Sequence, residues 1–434
     1  MTDPAPQGGP EPGAPTTATA PTAATPTATS RAPHRWVVPV VALTGVVSHT
    51  FGRSTMPILL PAISDELFDS LTLAGILGTA NFAAYMAGVI VVTWVSGRVE
   101  PVLLLRFGVA VVVSGLAVLA MAQGVGMLFA GTALAGFGGA GIWITAPGIA
   151  TADVATDRRG AVLSMLTATM GAALVLIPQV TALIRVMVGN DGAWRQVWLF
   201  ELVAAVAIGV TLVIVVHPIR TPPVAGGLSL GHLRSVRGWL PATIAYIAFA
   251  YIAASFVQFL GLALTDDAGF SSTHVTLVFS VLGVFSIGGP VLFGRFSDRR
   301  GRRAAMIVAL AGMAAGSLLV TVGREPFVLA GAVVFGVSSF SYPVLVAAFV
   351  RDHAAARAFG AAFGMMTIFY GFGAMAGPVV TGVVGDRTGS FTTPYVMVAV
   401  VALLGAVAAW QLPRRRPPGA PVTDAPSGLG SDRA

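Results

Sequence analysis

Arg53 and His49 are the two side chains whose types and spacing could bind an anion inside an apolar segment. They stand four residues apart, which places them on one face of a helix, and no Asp or Glu accompanies them there. An Arg within a membrane helix costs about 2.5–3.5 kcal/mol on insertion scales, so it usually faces a cavity or a partner. Because a guanidinium matches a carboxylate in bidentate fashion, the pair predicts an anion site.

A second interpretation of Arg53 stays open. Pro57 and Pro61 indicate that the helix ends nearby. Arg53 could then extend outward to lipid headgroups, or it could pair with Asp65 or Glu66 in the loop that follows.

Seven further polar side chains fall near the middle of apolar segments, where they could hydrogen-bond a ligand or join neighbouring helices. They are Asn81, Tyr85, Tyr251, Ser255, Gln258, Tyr342 and Tyr370. Tyr251, Ser255 and Gln258 recur at i, i+4 and i+7, which puts them on one helix face. Acidic residues are nearly absent at this depth, since Glu201 lies near the outer end of a segment and Asp153 at a helix end.

The segments that hold these residues are long and apolar. Hydrophobic residues make up 55% of the chain and charged residues 10%, and the mean hydropathy is +0.83. Lipid offers the backbone no hydrogen-bond partner, so such segments must be helices. We therefore predict an all-α membrane protein with twelve transmembrane helices. The predicted ranges are 36–58, 73–95, 102–122, 126–150, 160–188, 197–216, 240–264, 275–296, 304–322, 327–350, 359–384 and 393–412.

Arg is distributed unevenly between the two sides of the predicted membrane. The chain has no Lys. With a cytoplasmic N terminus, nineteen of the Arg residues from Arg31 to Arg416 fall on the cytoplasmic side and four on the external side. The positive-inside rule therefore predicts a multi-pass protein of the cytoplasmic membrane with both termini in the cytoplasm. These cations stand between apolar spans rather than on one solvated face, which excludes a nucleic-acid interface.

A Pro- and Gly-rich connection at 217–239 divides the twelve segments into two groups of six. It predicts a cytoplasmic linker between an N-terminal half, 36–216, and a C-terminal half, 240–412. The flanking segments 1–35 and 413–434 are predicted to be disordered cytoplasmic tails. The chain has no Cys, no phosphate-binding Gly-Lys-Ser/Thr loop and no metal-ligand spacing among its six His residues. We therefore expect no catalytic site, no metal and no cofactor, and we expect a monomer.

A dense cationic motif lies between the eighth and ninth predicted helices. Its residues are Gly294, Asp298, Arg299, Gly301, Arg302 and Arg303. They match the pattern Gly-x-x-x-Asp-Arg/Lys-x-Gly-Arg/Lys-Arg/Lys, which members of the major facilitator superfamily (MFS) carry after the second helix of a half. With its twelve spans and central linker, the chain resembles that superfamily.

The resemblance implies two pseudo-symmetric six-helix bundles and a gate formed by the motif. Asp298 would accept from the N terminus of a neighbouring helix, while the arginines pair across the interface and hold an inward gate shut in one state. The alternative for the motif is a cation cluster that only fixes the topology.

The resemblance also implies a secondary active transporter that works by alternating access, with the lipid bilayer and a small-molecule substrate as its partners. In the family the first helix lines the central cavity, which makes Arg53 and His49 a substrate-facing patch and favours a small organic anion. The alternative is an exporter of apolar drugs or metabolites in which His49 titrates. Thr132 stands where proton-coupled members usually have Arg, and a coupling proton or counter-ion stays open. A membrane sensor or enzyme is disfavoured, because no soluble domain is predicted.

Overall fold

The first membrane segment is assembled from three helical pieces in this computed structural model. Helix α1 (Val37–Val46) runs into a π-helical segment (Val47–Ser54), and α2 (Met56–Leu67) follows after Thr55. The backbone N–H of Thr55 donates to the carbonyl of Thr50 at 3.2 Å, which is the i→i+5 spacing of a π-turn. The helix is therefore widened where the sequence placed its anion-binding pair.

Pro57 begins a helix here, whereas the sequence was interpreted as ending one at Pro57 and Pro61. Pro57 lies in the first turn of α2, where its missing N–H removes no helical hydrogen bond. Pro61 is accommodated inside α2, and Ser64 Oγ donates to its carbonyl at 2.8 Å. The prediction that the first segment ends near residue 58 is wrong, because α2 continues to Leu67.

The structure describes Thr2 and residues 36–155, 158–217, 230–355 and 358–414. The predicted tail 1–35 (apart from Thr2), residues 218–229 of the predicted linker and residues 415–434 of the second predicted tail lie outside the described residues. The helices after α2 are α3 (Leu71–Val95), α4 (Pro101–Ala120), α5 (Val125–Thr151), α6 (Arg159–Val188), α7 (Trp194–Val215), α8 (Leu230–Arg234), α9 (Trp239–Leu262) with a π-helical extension (Ala263–Asp267), α10 (Ser272–Arg300), α11 (Arg302–Val320), α12 (Glu325–Ser339), α13 (Tyr342–His353), α14 (Phe359–Thr388) and α15 (Thr392–Trp410).

Eleven helices among the described residues are long and apolar enough to cross a membrane, when α9 is taken with its π-helical extension and α12 is taken with α13. They correspond to the second through twelfth predicted spans. The first predicted span is not in this set, and the structure builds it from α1, the π-helical segment and α2. Within the described ranges the chain forms helices and no strands, so the prediction of an all-α membrane protein is confirmed.

Glycines let two neighbouring helices approach closely in each half of the fold. These are α4 and α5 in the first set of helices (α1 to α7), and α11 and α12 in the second set (α9 to α15). A Cβ built on Gly115 of α4 would lie 2.7 Å from the carbonyl oxygen of Gly131 on α5, and one on Gly131 would lie 2.9 Å from that of Gly115. Gly316 of α11 and Gly331 of α12 repeat this mutual approach, at 2.9 and 2.8 Å. Backbones this close leave no room for a side chain.

The two sets of helices are joined at one end of the molecule, which we call the closed end. Asp386, near the end of α14, accepts hydrogen bonds from Ser70 Oγ and from the backbone N–H groups of Leu71 and Thr72, at 2.8 to 3.0 Å. A carboxylate in this place also complements the positive N-terminal end of α3. The start of α3 is therefore held against the end of α14.

Further cross-set contacts continue inward to mid-depth. Gln258 of α9 donates to the carbonyl of Ala74 at 3.1 Å, and Thr79 Oγ1 donates to the carbonyl of Met375 at 2.6 Å. Gln179 of α6 bonds to a hydroxyl on α10. The hydrogen bonds that the structure describes between the two sets thus lie at the closed end or half-way along the helices.

Candidate functional site

Arg53 lies at the end of the π-helical segment and has no acidic partner among the described residues, whose ion pairs join other side chains. Its Nε donates to Asn81 Oδ1 at 3.0 Å. Its guanidinium lies over the rings of Phe82 and Tyr85, 4.4 and 4.8 Å from their centroids. Glu66, one partner that the sequence suggested, pairs instead with Arg195 at 2.7 Å. The half-buried Arg53 is therefore a cation held by an amide and two aromatic faces.

Asn81 is the side chain that orients Arg53. It is buried, and its amide nitrogen donates to the carbonyls of Gly52 and Thr132, at 3.3 and 3.0 Å. Because both amide hydrogens are used on these carbonyls, the amide oxygen is directed to Arg53. The sequence left open whether Asn81 contacts a ligand or joins helices, and its described hydrogen bonds hold the Arg53 guanidinium in place.

His49 lies on the same π-helical segment but contacts a different helix. Its ring stacks on that of Trp143 of α5, with centroids 6.4 Å apart. Ser54 Oγ donates to the carbonyl of His49 at 3.1 Å, which closes another wide turn. Since Arg53 faces α3 and His49 faces α5, the described contacts do not bring the two cation-capable groups onto a common partner.

Four aromatic side chains of the second set form a cluster next to Arg53. Tyr370 of α14 and Tyr246 of α9 have ring centroids 5.0 Å apart, and Phe249 lies 4.8 Å from Tyr342. Tyr370, like Tyr85, lies within electrostatic range of the Arg53 guanidinium. We call Tyr246, Phe249, Tyr342 and Tyr370 the aromatic cluster.

Tyr342 and Tyr370 of the aromatic cluster were singled out from the sequence, whereas Tyr246 and Phe249 were missed. Their spacing of three residues on α9 puts both on one helix face, which could have indicated them. The hydroxyl of Tyr342 is buried and has no hydrogen-bond partner among the described residues. A buried polar atom without a partner is costly in this apolar setting, so Tyr342 offers an unused donor.

Tyr251, Ser255 and Gln258 share one face of α9, and the described contacts of that face join helices. Tyr251 Oη contacts the sulfur of Met397 at 3.8 Å, and Gln258 bonds to α3 across the closed end. Ser255 is fully buried, and its Oγ lies beside Gly377 of α14. Of the two roles left open from the sequence, these contacts favour helix joining.

The cationic motif connects α10 to α11, and its ion pairs lie within the second set. Arg302 pairs with Asp298 at 2.8 Å and with Asp352 of α13 at 2.9 Å. Arg303 donates to the carbonyl of Leu412 and lies over the Trp410 ring, 5.1 Å from its centroid. In this conformation the described partners of these arginines are not across the interface, so the cross-interface gate stays a prediction for another conformation.

The remaining motif residues have a structural setting that suits a tight turn. Gly301 has φ +92°, a left-handed value that side chains rarely adopt, and it separates α10 from α11. Arg299 is exposed, and a Cβ at Gly294 would meet nothing within 4 Å. A cleft of about 800 Å³ at this loop is lined by motif residues together with His353, Trp410 and Arg414.

The fold matches those of solved transporters. A bacterial homologue of the human lysosomal transporter Spinster, solved in inward-facing unoccupied and occupied conformations, superposes with TM-scores of 0.68 and 0.69 at 13% identity. The matches cover 88% and 87% of this chain and 97% and 96% of the homologue. A variant of the nucleoside transporter NupG superposes with a TM-score of 0.70 at 13% identity, over 86% of this chain and 98% of that protein. These likenesses show the fold.

Two curated relatives match parts of the sequence. Monocarboxylate transporter 11 of Homo sapiens is 28% identical over 306 residues, which is 65% of this chain and 62% of that protein. Tetracycline resistance protein, class D, of Salmonella ordonez is 28% identical over 136 residues, 31% of this chain and 33% of that protein. The chain thus matches less than two thirds of the length of either relative.

The family model described as "Uncharacterised MFS-type transporter YbfB" matches residues 46–410. This range contains Arg53, the aromatic cluster and the cationic motif, and it covers most of the chain. The chain therefore belongs to this family of MFS-type transporters.

Proposed function

We propose that this protein is a secondary active transporter of the cytoplasmic membrane that moves a small organic anion by alternating access. The observation that carries the proposal is Arg53, a cation near the middle of the first membrane segment with no acidic partner among the described residues. A guanidinium in that position needs a counter-charge, because an unpaired charge within a membrane segment is costly. A substrate carboxylate would supply it.

The geometry around Arg53 suits a carboxylate. In the hydrogen bonds described, Arg53 uses only its Nε, which donates to Asn81. Its two Nη groups are therefore left for a bidentate contact with a carboxylate. Tyr246, Phe249 and Tyr342 of the aromatic cluster are buried, whereas the partly exposed Tyr370 offers an apolar ring face to which an apolar substrate body would bind. The name of the human relative, a monocarboxylate transporter, supports the same substrate class.

Alternating access is supported by where the two sets of helices meet. The described hydrogen bonds between them lie at the closed end and at mid-depth, and with both termini in the cytoplasm the closed end is external. The described state would then be inward-facing, and Arg53 would be reached from the cytoplasm. The opposite state requires the closed end to separate.

The direct test of the anion proposal compares probes that share a ring and differ in charge. Benzoate, benzyl alcohol and benzylamine are titrated into the purified protein, and binding is measured calorimetrically. We expect benzoate to bind, and the neutral and cationic probes to bind weakly or not at all. Equal binding of all three, or preference for benzylamine, would remove the anion from the proposal.

An exporter of apolar compounds is the second candidate. The partly exposed ring of Tyr370 in the aromatic cluster favours it, because a ring face binds apolar solutes without a charge partner. The similarity of 136 residues to a tetracycline resistance protein supports it as well. The same titration separates the two candidates, since an apolar exporter would prefer benzyl alcohol to benzoate.

Asp298→Asn is expected to slow benzoate transport while leaving the protein folded. The Asp298 side chain is 69% exposed and Arg302 keeps Asp352, so the fold loses only an exposed ion pair of about 0–1 kcal/mol. Uptake into proteoliposomes measures the rate, and the melting temperature in detergent measures the fold. Asp191→Asn, an exposed acid in the turn before α7, is the matched control. Equal rates for Asp298→Asn and the parent would mean that the cationic motif only fixes the membrane topology and does not act as a gate.

The orientation makes a separate prediction that uses the absence of native Cys. Asp191→Cys and Thr392→Cys, both exposed at predicted external turns, are expected to react with an impermeant thiol reagent on intact cells. Ser235→Cys, exposed after α8 on the predicted cytoplasmic side, is expected to react only after permeabilisation. The opposite pattern would invert the topology and would make the closed end cytoplasmic.

A further inference from the structure

Glu201 on α7 is a fully buried carboxyl that the anion site does not use. It has 0% exposure and lies seven residues after the start of α7, about 10 Å along the helix at 1.5 Å per residue. Its Oε1 is 2.5 Å from Thr55 Oγ1, and its Oε2 has no hydrogen-bond partner among the described residues. The sequence places Glu201 near a helix end but does not show that it faces the first membrane segment.

The charged groups at the two ends of α7 are occupied elsewhere. On α4, Arg106 donates to the carbonyls of Val213 and Val216, at the far end of α7. On α2, Glu66 pairs with Arg195 at the near end. None of these groups neutralises the buried carboxyl.

The other titratable groups on the helices that pack against α7 have no described contact with Glu201. On α6, Arg185 donates to the carbonyl of Ile58 at 3.5 Å, and Arg159 donates to a loop carbonyl. Asp65 of α2 is exposed. On the π-helical segment, Arg53 contacts α3 and His49 contacts α5, while α1 carries no charged residue. Glu201 thus has only a hydroxyl as its described polar partner.

The Thr55 hydroxyl can serve both of its neighbours when Glu201 carries a proton. The Thr55 hydroxyl has one hydrogen, but two acceptors lie within reach, the carbonyl of Thr50 at 3.3 Å and Glu201 Oε1 at 2.5 Å. A protonated Glu201 can donate to Thr55 Oγ1, which then donates to the carbonyl of Thr50. An ionised Glu201 would compete with that carbonyl and would leave a buried charge with one hydrogen bond, which is costly.

We propose that Glu201 is the proton-binding site that couples this transporter to protons, which rests on the transport function proposed above. Thr55 ends the π-turn and stands two residues from Arg53, so the proton site and the anion site lie on one widened stretch of the first membrane segment. When that stretch separates from α7, the O–H bond of the acid breaks, the proton passes to water and the carboxylate is hydrated. Reprotonation restores the described contact.

Infrared spectroscopy of the protein in nanodiscs at neutral pH tests whether Glu201 holds a proton. Exposed carboxyls are ionised there, so a carboxylic-acid C=O band reports a protonated buried acid. We expect a band in the parent that is lost in Glu201→Gln and kept in Glu325→Gln, the same change at an exposed position. A band that persists in Glu201→Gln, or no band in the parent, would overturn the proposal.

Spin labels test whether this proton controls the conformation. Cys residues replace Gly97 and Gly360, at the ends of α3 and α14 opposite the closed end, where an added Cβ meets nothing within 4 Å. Raising the pH is expected to change the label-to-label distance distribution in the parent and in Glu325→Gln. Glu201→Gln, whose amide can also donate to Thr55, is expected to keep the acidic distribution at every pH. Equal pH responses in Glu201→Gln and the parent would contradict coupling.

Thr55→Val tests the same proton site by a second variant, which is needed if Glu201→Gln does not fold. Removal of the hydroxyl destabilises an ionised Glu201 more than a protonated one, because a hydrogen bond to a charged group is the stronger one. The midpoint of the pH response should therefore move to higher pH. An unchanged midpoint would overturn the role of the Thr55 contact. Benzoate binding is measured on the same samples. A parent that binds no benzoate fails the anion proposal, whereas a parent that binds benzoate but shows no pH response fails the Glu201 proposal.

Discussion

Arg53→Ala is expected to weaken benzoate binding by roughly ten- to hundredfold. Hydrogen bonds to a charged group contribute about 1.5–3 kcal/mol, and each 1.4 kcal/mol is about a tenfold change in affinity. The protein should remain folded, because Arg53 makes one described side-chain hydrogen bond, to Asn81, and belongs to no described ion pair. Calorimetric titration of benzoate into variant and parent measures the change.

Arg53→Lys distinguishes a substrate contact from a membrane anchor. An ammonium keeps the charge but loses the planar fork, so Lys should recover only part of the affinity. Arg98→Ala is the control, since Arg98 is exposed and its described contacts, to the carbonyl and ring of Trp94, lie on its own turn. Unchanged benzoate affinity in a well-expressed Arg53→Ala protein would remove the reason for calling the substrate an anion, and the apolar exporter would become the better candidate.

The membrane helices were predictable because their signal is local. Eleven of the twelve predicted spans match a continuous apolar segment, since length and hydropathy alone identify a helix that can cross lipid. The first span was not predicted correctly. A π-turn differs from an α-turn by one residue, and nothing in the types of residues 47–54 distinguishes the two periods. Pro57 was then interpreted as an end because only the structure shows it in a first turn.

The site was predictable where a rare residue type marks it and unpredictable where the fold assembles it. Arg53 was found because few charges occur inside apolar spans. The hydrogen bond from Arg53 to Asn81 was not foreseen, because the two residues are 28 positions apart and meet only when α3 packs on the first segment. The setting of Glu201 was missed for the same reason, since its contact with Thr55 spans 146 positions. Contacts between helices are not encoded in the periodicity of either helix.

The closed end depends on glycines of α3 and α14 that let backbone meet backbone. A Cβ built on Gly75 would lie 2.3 Å from the carbonyl oxygen of Pro378, and one on Gly382 would lie 2.2 Å from that of Leu71. These neighbours are backbone atoms, so they cannot move aside by a change of rotamer. A side chain at either glycine can be accommodated only if α3 and α14 move apart at this end.

Gly75→Val is therefore expected to shift the protein away from the described conformation. Overpacking costs about 1–3 kcal/mol, and a difference of that size changes the ratio of two conformations by roughly five- to hundredfold. Spin labels at positions 97 and 360 should report a shorter distance in Gly75→Val than in the parent, because separation at the closed end brings the opposite ends together.

Gly148→Val is the matched control for this change. Gly148 is also a helical glycine, but a Cβ there meets nothing within 4 Å, so the same substitution should leave the distance distribution of the parent. If Gly75→Val kept that distribution too and remained folded, the contact between α3 and α14 would not be a point at which the conformations differ. A shorter distance in Gly75→Val alone would identify that contact as one that must break for the substrate site to open at the other side of the membrane.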